Sequence, residues 1–191
     1  MKIKTHLPVL ETENLILRTI SEDDIYDMYE YAKLDYIGPM AGWEPHVNPN
    51  HTKLVIKNFK EKAQKGGLGV YAITLKSTGK MIGTIELHSY VEGFKAELGY
   101  TINPNYWGHH YAVEASIEVL KWGFNTLKLK RIECTCFTTN HNSQRVCEKL
   151  HFPFEGIRRK GYRLYNGLIG DLACYAMTDE DYKKIVEKYS W

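Results

Sequence analysis

The chain has 191 residues, which predicts one domain spanning 1–191 at the usual ~100–200 residues per domain, and it is 43% hydrophobic and 25% charged. With 14 Tyr, 6 Phe and 4 Trp it carries the aromatic surface that a packed core needs, which excludes low-complexity disorder. Lys plus Arg number 25 against 23 Asp plus Glu, a formal net charge of +2. No long-range field gathers nucleic acid or anionic lipid, and a small partner, or a small part of a large one, is expected.

The first ten residues carry Lys2 and Lys4 but no apolar run of signal-peptide length, and no stretch approaches the roughly 18 apolar residues of a membrane span. Leu15-Ile16-Leu17-Arg18 predicts a first strand. Ser21 then caps a helix in which Ile25, Met28, Tyr29 and Ala32 share one stripe. From Tyr36 to Asn50 the spacing of Gly38, Pro39, Gly42, Pro45 and Pro49 predicts an irregular loop anchored by Trp43. Ile56, Phe59 and Ala63 restore helical spacing before Gly66-Gly67 stops it.

From Val70 the period becomes two. Val70 to Leu75, a turn at Ser77 to Lys80, and Met81 to His88 read as a hairpin. Ala96, Leu98, Tyr100 and Ile102 alternate along a third strand that Asn103-Pro104-Asn105 ends. After Gly108 a long helix follows, with Val113, Ile117, Leu120 and Phe124 on one apolar stripe and Ala112, Ala115, Val119 and Trp122 beside it, so both sides are expected to pack. Lys130 to Phe137 reads as a strand and Asn140 to Leu150 as a short helix. Tyr165-Asn166-Gly167 turns between strands near Phe154 to Arg163 and Leu168 to Met177, and Thr178 caps a last helix. The predicted class is mixed α/β, one sheet with helices packed on it.

Cys134, Cys136, Cys147 and Cys174 all lie in apolar or periodic segments without a C-x-x-C pair, which predicts buried free thiols and a cytoplasmic, reducing compartment. His109, His141 and His151 have no metal spacing, so no metal is assigned.

The stretch Glu97 to Ala115 carries the chemistry. A strand delivers the chain to a Gly-containing loop that opens into a long buried helix, whose first N–H groups lack intrahelical partners and whose macrodipole attracts anions. The alternative is a tight strand-to-helix turn with no ligand.

Pro104-x-Tyr106-Trp107-Gly108-x-x-Tyr111-Ala112-x-Glu114-Ala115, followed by Asn140-x-x-Ser143-x-Arg145-Val146-x-Glu148-Lys149-Leu150-x-Phe152, closely resembles the GCN5-related N-acetyltransferases (GNAT). Within them it is similar to the branch of the ribosomal-protein N-terminal acetyltransferases RimJ and RimL. The opening Glu11 to Arg18, Ile82-Gly83-Thr84-Ile85, Glu97-Leu98-Gly99-Tyr100 and Tyr165 to Tyr175 extend the resemblance over almost the whole chain.

The resemblance implies a central, mostly antiparallel sheet that splays between two strands, with helices on both faces, and an acetyl-CoA-dependent transferase acting on a primary amine without an acyl-enzyme. Cofactor contacts would come from the backbone of Tyr100, Thr101 and Ile102, from the diphosphate loop of Asn105, Trp107, Gly108, His109, His110, Tyr111 and Ala112, and from Asn140, Ser143 and Arg145. Asn140 also reads as an N-cap, and Arg145 equally as an ordinary exposed helix residue. The chain departs from the family loop at His110, which stands where a glycine is usual, and at Asn105, which stands where Gln or Arg is usual. A β-carbon at 110 narrows the approach or demands a positive φ.

An amine of pKa ~10 must lose a proton before attack. The resemblance implies Glu97, at the family's acid position on the central strand, as the leading base, although it equally reads as a strand-surface acid in a cross-strand ion pair; Glu86, His88 and Glu44 are alternatives, and Ser143 matches the family's proton donor to the departing sulfur. Trp43, Glu44, His46 and Glu86 are the candidate acceptor-site residues, an aromatic with acids suiting a cationic amine; Trp43 also reads as a core anchor. The acceptor is a peptide or small-molecule amine, a ribosomal-protein N-terminus included, with no nucleic acid or membrane partner expected. Trp191 and the aromatic C-terminal helix offer a face either for a second copy in a homodimer or for the chain's own sheet. A competing reading is an acyl-CoA-binding regulatory or interaction module that lacks catalysis. A nucleotide-binding loop is disfavoured because Gly-x-x-x-x-Gly-Lys-Ser/Thr is absent.

Overall fold

A computed structural model describes residues 7–191, so Lys2 and Lys4 lie outside the described residues. The strands are β1 (Leu10–Glu11), β2 (Leu15–Thr19), β3 (Val70–Leu75), β4 (Met81–Val91), β5 (Lys95–Ile102), β6 (Arg131–Phe137), β7 (Phe154–Arg163) and β8 (Ile169–Thr178). The helices are α1 (Ile25–Ala32), α2 (Gly38–Ala41), α3 (Pro49–Gln64), α4 (Tyr111–Lys121), α5 (His141–Lys149) and α6 (Asp179–Tyr189). The strands form one sheet in the order β1-β2-β3-β4-β5-β6-β8-β7.

Every neighbouring pair is antiparallel except β5 with β6, which run parallel for three rungs, Lys95 with Arg131, Ala96 with Ile132 and Glu97 with Glu133. Beyond Glu97 the ladder stops. The remaining length of β5, Leu98 to Ile102, keeps β4 on one edge and leaves the other open.

Period-two alternation divides the apolar residues between two cores. Tyr71 and Ile73 of β3 join Ile85, Leu98 and Ile132 under α4 and α6, while Val70 and Ala72 join Met28, Tyr31 and Ile56 under α1 and α3. Burying both faces explains why β3 reads as a continuous apolar run rather than an alternating one. Glu114 of α4 ties the helix to the sheet edge: its carboxylate accepts from the Thr12 hydroxyl, from Asn14 N at 2.8 Å and from Asn14 Nδ2 at 3.1 Å.

The α2 and α4 segments differ locally from the sequence expectation. The proline-rich loop contains α2, because Pro39 sits in the first turn, where no N–H is needed, and Gly42 closes the helix at φ 87°. The long helix ends its regular turns at Lys121 and widens into a π-turn over Trp122–Thr126, with Leu127 N donating to Trp122 O at 3.1 Å. Gly123 lies there against Ile132, whose Cδ1 would stand 2.7 Å from a β-carbon. Trp191 packs on the chain's own core, and His151 stacks on Tyr189 with ring centroids 3.7 Å apart.

Candidate active site

The open side of β5 is one wall of a cleft of about 1220 Å³ that passes between the two cores. Its floor is set by pairing register. Opposed residues share a face, so His88 with Glu97, Glu86 with Gly99 and Thr84 with Thr101 all face the α1–α3 side. Tyr100, paired with Ile85, points the other way, towards α5.

On the α1–α3 side, Glu97 Oε1 accepts from the Thr135 hydroxyl, and its Oε2 lies 4.0 Å from His88 Nδ1. Among the described residues Glu86 carries no hydrogen bond to another side chain, and burial raises its pKa against the opposing pull of His88 and Lys62. The wall above is Trp43, whose ring lies over Gly38: a β-carbon there would stand 2.7 Å from Trp43 Cε3. His46 is 4% exposed, with Nδ1 2.8 Å from Thr52 Oγ1 and its ring 5.2 Å from Trp43 and 4.7 Å from His51. Burial, and then His51, lowers its pKa to about 4. Glu44 sits at the exposed rim.

On the α4–α5 side, Gly108 has φ 83° with nothing within 4 Å of where a β-carbon would stand, and His110 precedes α4 at φ 62° in the left-handed region. The residue without a glycine's freedom thus takes up the conformation a glycine favours. Lys149 Nζ lies 3.2 Å from His110 Nδ1, and Arg145 stands one turn before Lys149 on α5. Asn140 caps α5, its side chain accepting from Ser143 N at 3.1 Å. The Tyr100 hydroxyl donates to Ser143 Oγ at 3.3 Å and is held protonated by burial, its pKa well above the usual value.

These two limbs meet at the end of the β5–β6 ladder, and the residues match a known pattern along most of their length: a family model for the acetyltransferase (GNAT) domain covers residues 14–153. The chain is a GNAT acetyltransferase of the RimJ/RimL-like branch. It is 32% identical over 172 residues to the uncharacterized N-acetyltransferase YoaA of Bacillus subtilis, spanning 90% of this chain and 97% of that one. The GNAT-family acetyltransferase from Bacillus anthracis superposes with a TM-score of 0.80 at 26% identity, over 91% of this chain and 99% of that one. A Salmonella typhimurium acetyl transferase, described as modifying the N-terminal serine of 50S ribosomal subunit protein L7/L12, has the same fold at 17% identity, with a TM-score of 0.80 over 90% and 99% of the two chains.

In this acetyltransferase Glu97, Tyr100, Thr101, Ile102, Trp107, Gly108, His110, Tyr111, Ala112, Asn140, Ser143 and Arg145 all line the cleft, as do Trp43, Glu44, His46 and Glu86. Asn105 and His109 do not. Asn105 Nδ2 donates to Glu30 Oε1 at 3.2 Å, and Glu30 is held ionised by Lys80 first and by Asn103 second, so the Asn105 side chain turns to α1. His109 stacks on Tyr111 at 5.4 Å with Nδ1 3.1 Å from Trp107 O, facing solvent. Ile102 O already accepts from Trp107 Nε1 at 2.9 Å, which seals the end of the opening.

Sequence reasoning missed Thr135 and Lys149. The polar alternation of Glu133 and Thr135 on β6 is a signal for the first; Lys149 gives none, because its neighbour His110 is 39 positions away. Among the described residues no helix is long and apolar enough to cross a membrane.

Proposed function

We propose that the protein moves an acetyl group from acetyl-CoA to a primary amine by direct transfer with general-base assistance, the acceptor being a protein N-terminus or a small amine. The observation that carries the reading is the early end of the β5–β6 ladder, with the N-terminus of α4 opening onto the gap.

The residues suit an anionic, amide-bearing cofactor. The first N–H groups of α4 lack intrahelical acceptors, Gly108 leaves open space for close backbone approach, and Lys149 and Arg145 add positive charge at the rim. Trp107, Tyr111, Ala112, His110 and Asn140 enclose this limb, and the free edge from Tyr100 through Thr101 to Ile102, short of the Ile102 carbonyl that Trp107 occupies, is available to peptide-like groups. Bound there, acetyl-CoA supplies a thioester carbonyl activated for attack by an amine.

The chain's own residues do the rest. Glu86, Glu44 and the Trp43 ring draw a cationic amine into the α1–α3 limb. Glu97 takes the amine proton on Oε2, since Thr135 occupies Oε1. A backbone N–H on the open edge of β5 faces the developing carbonyl charge. Ser143 Oγ accepts from Tyr100 and so keeps its own proton for the departing sulfur. A cysteine nucleophile is disfavoured: Cys147 is buried, and burial pushes the Cys136 thiol up to about 12.

Thiol release from acetyl-CoA across a panel of polyamines, aminoglycosides and N-terminal peptides tests the reading. Release with at least one amine is expected. Acetyl-CoA binding with no release on any amine favours the non-catalytic module instead, and an acetylated cysteine after incubation with acetyl-CoA alone overturns direct transfer.

A further inference from the structure

The β7–β8 hairpin forms the outer lip of the cleft and carries chemistry that transfer itself does not use. Arg158, Arg159, Lys160 and Arg163 place four cations within six residues, more positive charge than the net +2 of the whole chain. All four are exposed, and among the described residues none of their charged side-chain nitrogens lies within 4.0 Å of a carboxylate oxygen. On neighbouring β6, by contrast, Arg131 is paired with both Glu133 and Glu155. The acid closest to the cations in the ladder, Asp171, spends an oxygen on the Lys160 backbone N–H at 2.7 Å.

The ladder breaks between Arg158 and Tyr162, so Arg159 and Lys160 bulge out of the sheet, with Lys160 at φ 52°. Another break follows Phe154. Bulges and charges on an edge strand oppose the addition of a further strand, so a partner here is held by side chains. The lip is continuous with the acceptor limb. Arg158 and Tyr162 line the cleft, the Tyr162 hydroxyl donates to Gly42 O at 3.1 Å, and its ring stands edge-on to Phe137 at 5.6 Å.

Charge therefore changes sign along the path into the site. Inside stand Glu86 and Glu97, with Glu44 at the rim; Arg158 stands at the mouth, and Arg159, Lys160 and Arg163 stand outside it. A molecule complementary to both is positive at one end and negative a short distance along. We propose that the β7–β8 hairpin docks an acidic polypeptide acceptor, whose free N-terminal amine enters the cleft while Asp or Glu side chains a few residues on meet Arg158, Arg159 and Lys160. The proposal rests on the transferase reading and names its acceptor class. A nucleic acid fits the lip alone, because the acids beyond it repel phosphate and the chain has no broad positive field.

Peptides that share their first residues and length, with Asp and Glu further along in one and Asn and Gln in the other, separate the outcomes. The acidic peptide is expected to show a kcat/KM about tenfold higher, carried by KM and shrinking as salt is raised, as a few exposed ion pairs allow. In an R159Q/K160Q variant the ratio between the two peptides falls towards one. Equal KM values in the unmodified protein, or a ratio that survives in the variant, overturn the proposal. Tighter binding of a single-stranded RNA oligonucleotide than of the acidic peptide, lost in the variant, assigns the lip to nucleic acid and overturns it too. If no amine releases thiol, the transferase reading fails on its own. Anisotropy of the two labelled peptides in the presence of acetyl-CoA then still decides the ledge, acid-dependent binding supporting it and equal binding overturning it.

Discussion

Thr135, two residues beyond the Glu133 of the last β5–β6 rung, donates its hydroxyl to Glu97, so the carboxylate is held where the sheet opens. The geometry ties a backbone event to a side-chain position, since Glu97 stands in the last paired rung, at the edge of the cleft that the divergence opens. Replacing Glu97 by Gln keeps the shape and removes the basic oxygen. Turnover is expected to fall by about a hundredfold or more with the melting temperature nearly unchanged. Thr135→Val loses only the orienting donor and costs less, in kcat rather than KM, while Thr135→Ser restores it. Full activity in E97Q moves the base to Glu86 or His88.

Ser143 has a different dependence. Its proton is free for the cleft because Tyr100 supplies the other hydrogen bond at 3.3 Å. Ser143→Ala is expected to slow turnover by at least about tenfold without weakening acetyl-CoA binding. Tyr100→Phe, which leaves the Ser143 hydroxyl free to rotate, gives a smaller loss in the same direction. If S143A raises only the dissociation constant of acetyl-CoA, the hydroxyl binds cofactor and does not carry the proton.

Much of this site was legible because it is local. The alternation of Ala96, Leu98, Tyr100 and Ile102, the Asn140 cap and the Gly108 turn are set by near neighbours in the chain. What was not legible depends on distant partners. Asn105 sits in the expected loop, yet Glu30, 75 positions earlier, claims its side chain. The open edge of β5 follows from a three-rung pairing with a strand beyond α4, which no period in β5 announces. The short α2 was hidden because Gly38-Pro39 and Gly42 mark a turn and a one-turn helix with the same residues.

Gly108 and Gly79 make a controlled pair. Both adopt positive φ, 83° and 72°, and neither has an atom within 4 Å of where a β-carbon would stand. Alanine at either position therefore carries the same backbone strain, roughly 1–2 kcal/mol. Only Gly108 lines the cleft. G108A and G79A are expected to lower the melting temperature alike, while only G108A weakens acetyl-CoA binding, by about tenfold. Equal binding in the two variants would falsify the placement of the cofactor over the start of α4.

His46 gives the α1–α3 limb of the cleft a pH-dependent anchor. In the folded protein its pKa is lowered to about 4, by burial first and then by His51, against ~6.5 in an unfolded chain. Between these values the unfolded chain binds more protons than the folded one, so stability rises with pH across that window. The His46 contribution is fully present above about pH 6.5 and is lost as pH falls towards about 4. Protonation also sets a cation beside the ring of His51, 4.7 Å away, and removes the acceptor capacity of the imidazole next to Thr52. Melting curves of the unmodified protein and of His46→Gln, recorded from neutral pH down to about 4, are expected to converge, the unmodified protein losing more. Curves that stay parallel place the acid sensitivity elsewhere, Glu86 and its raised pKa being excluded as a source of acid loss because protonation favours its folded form.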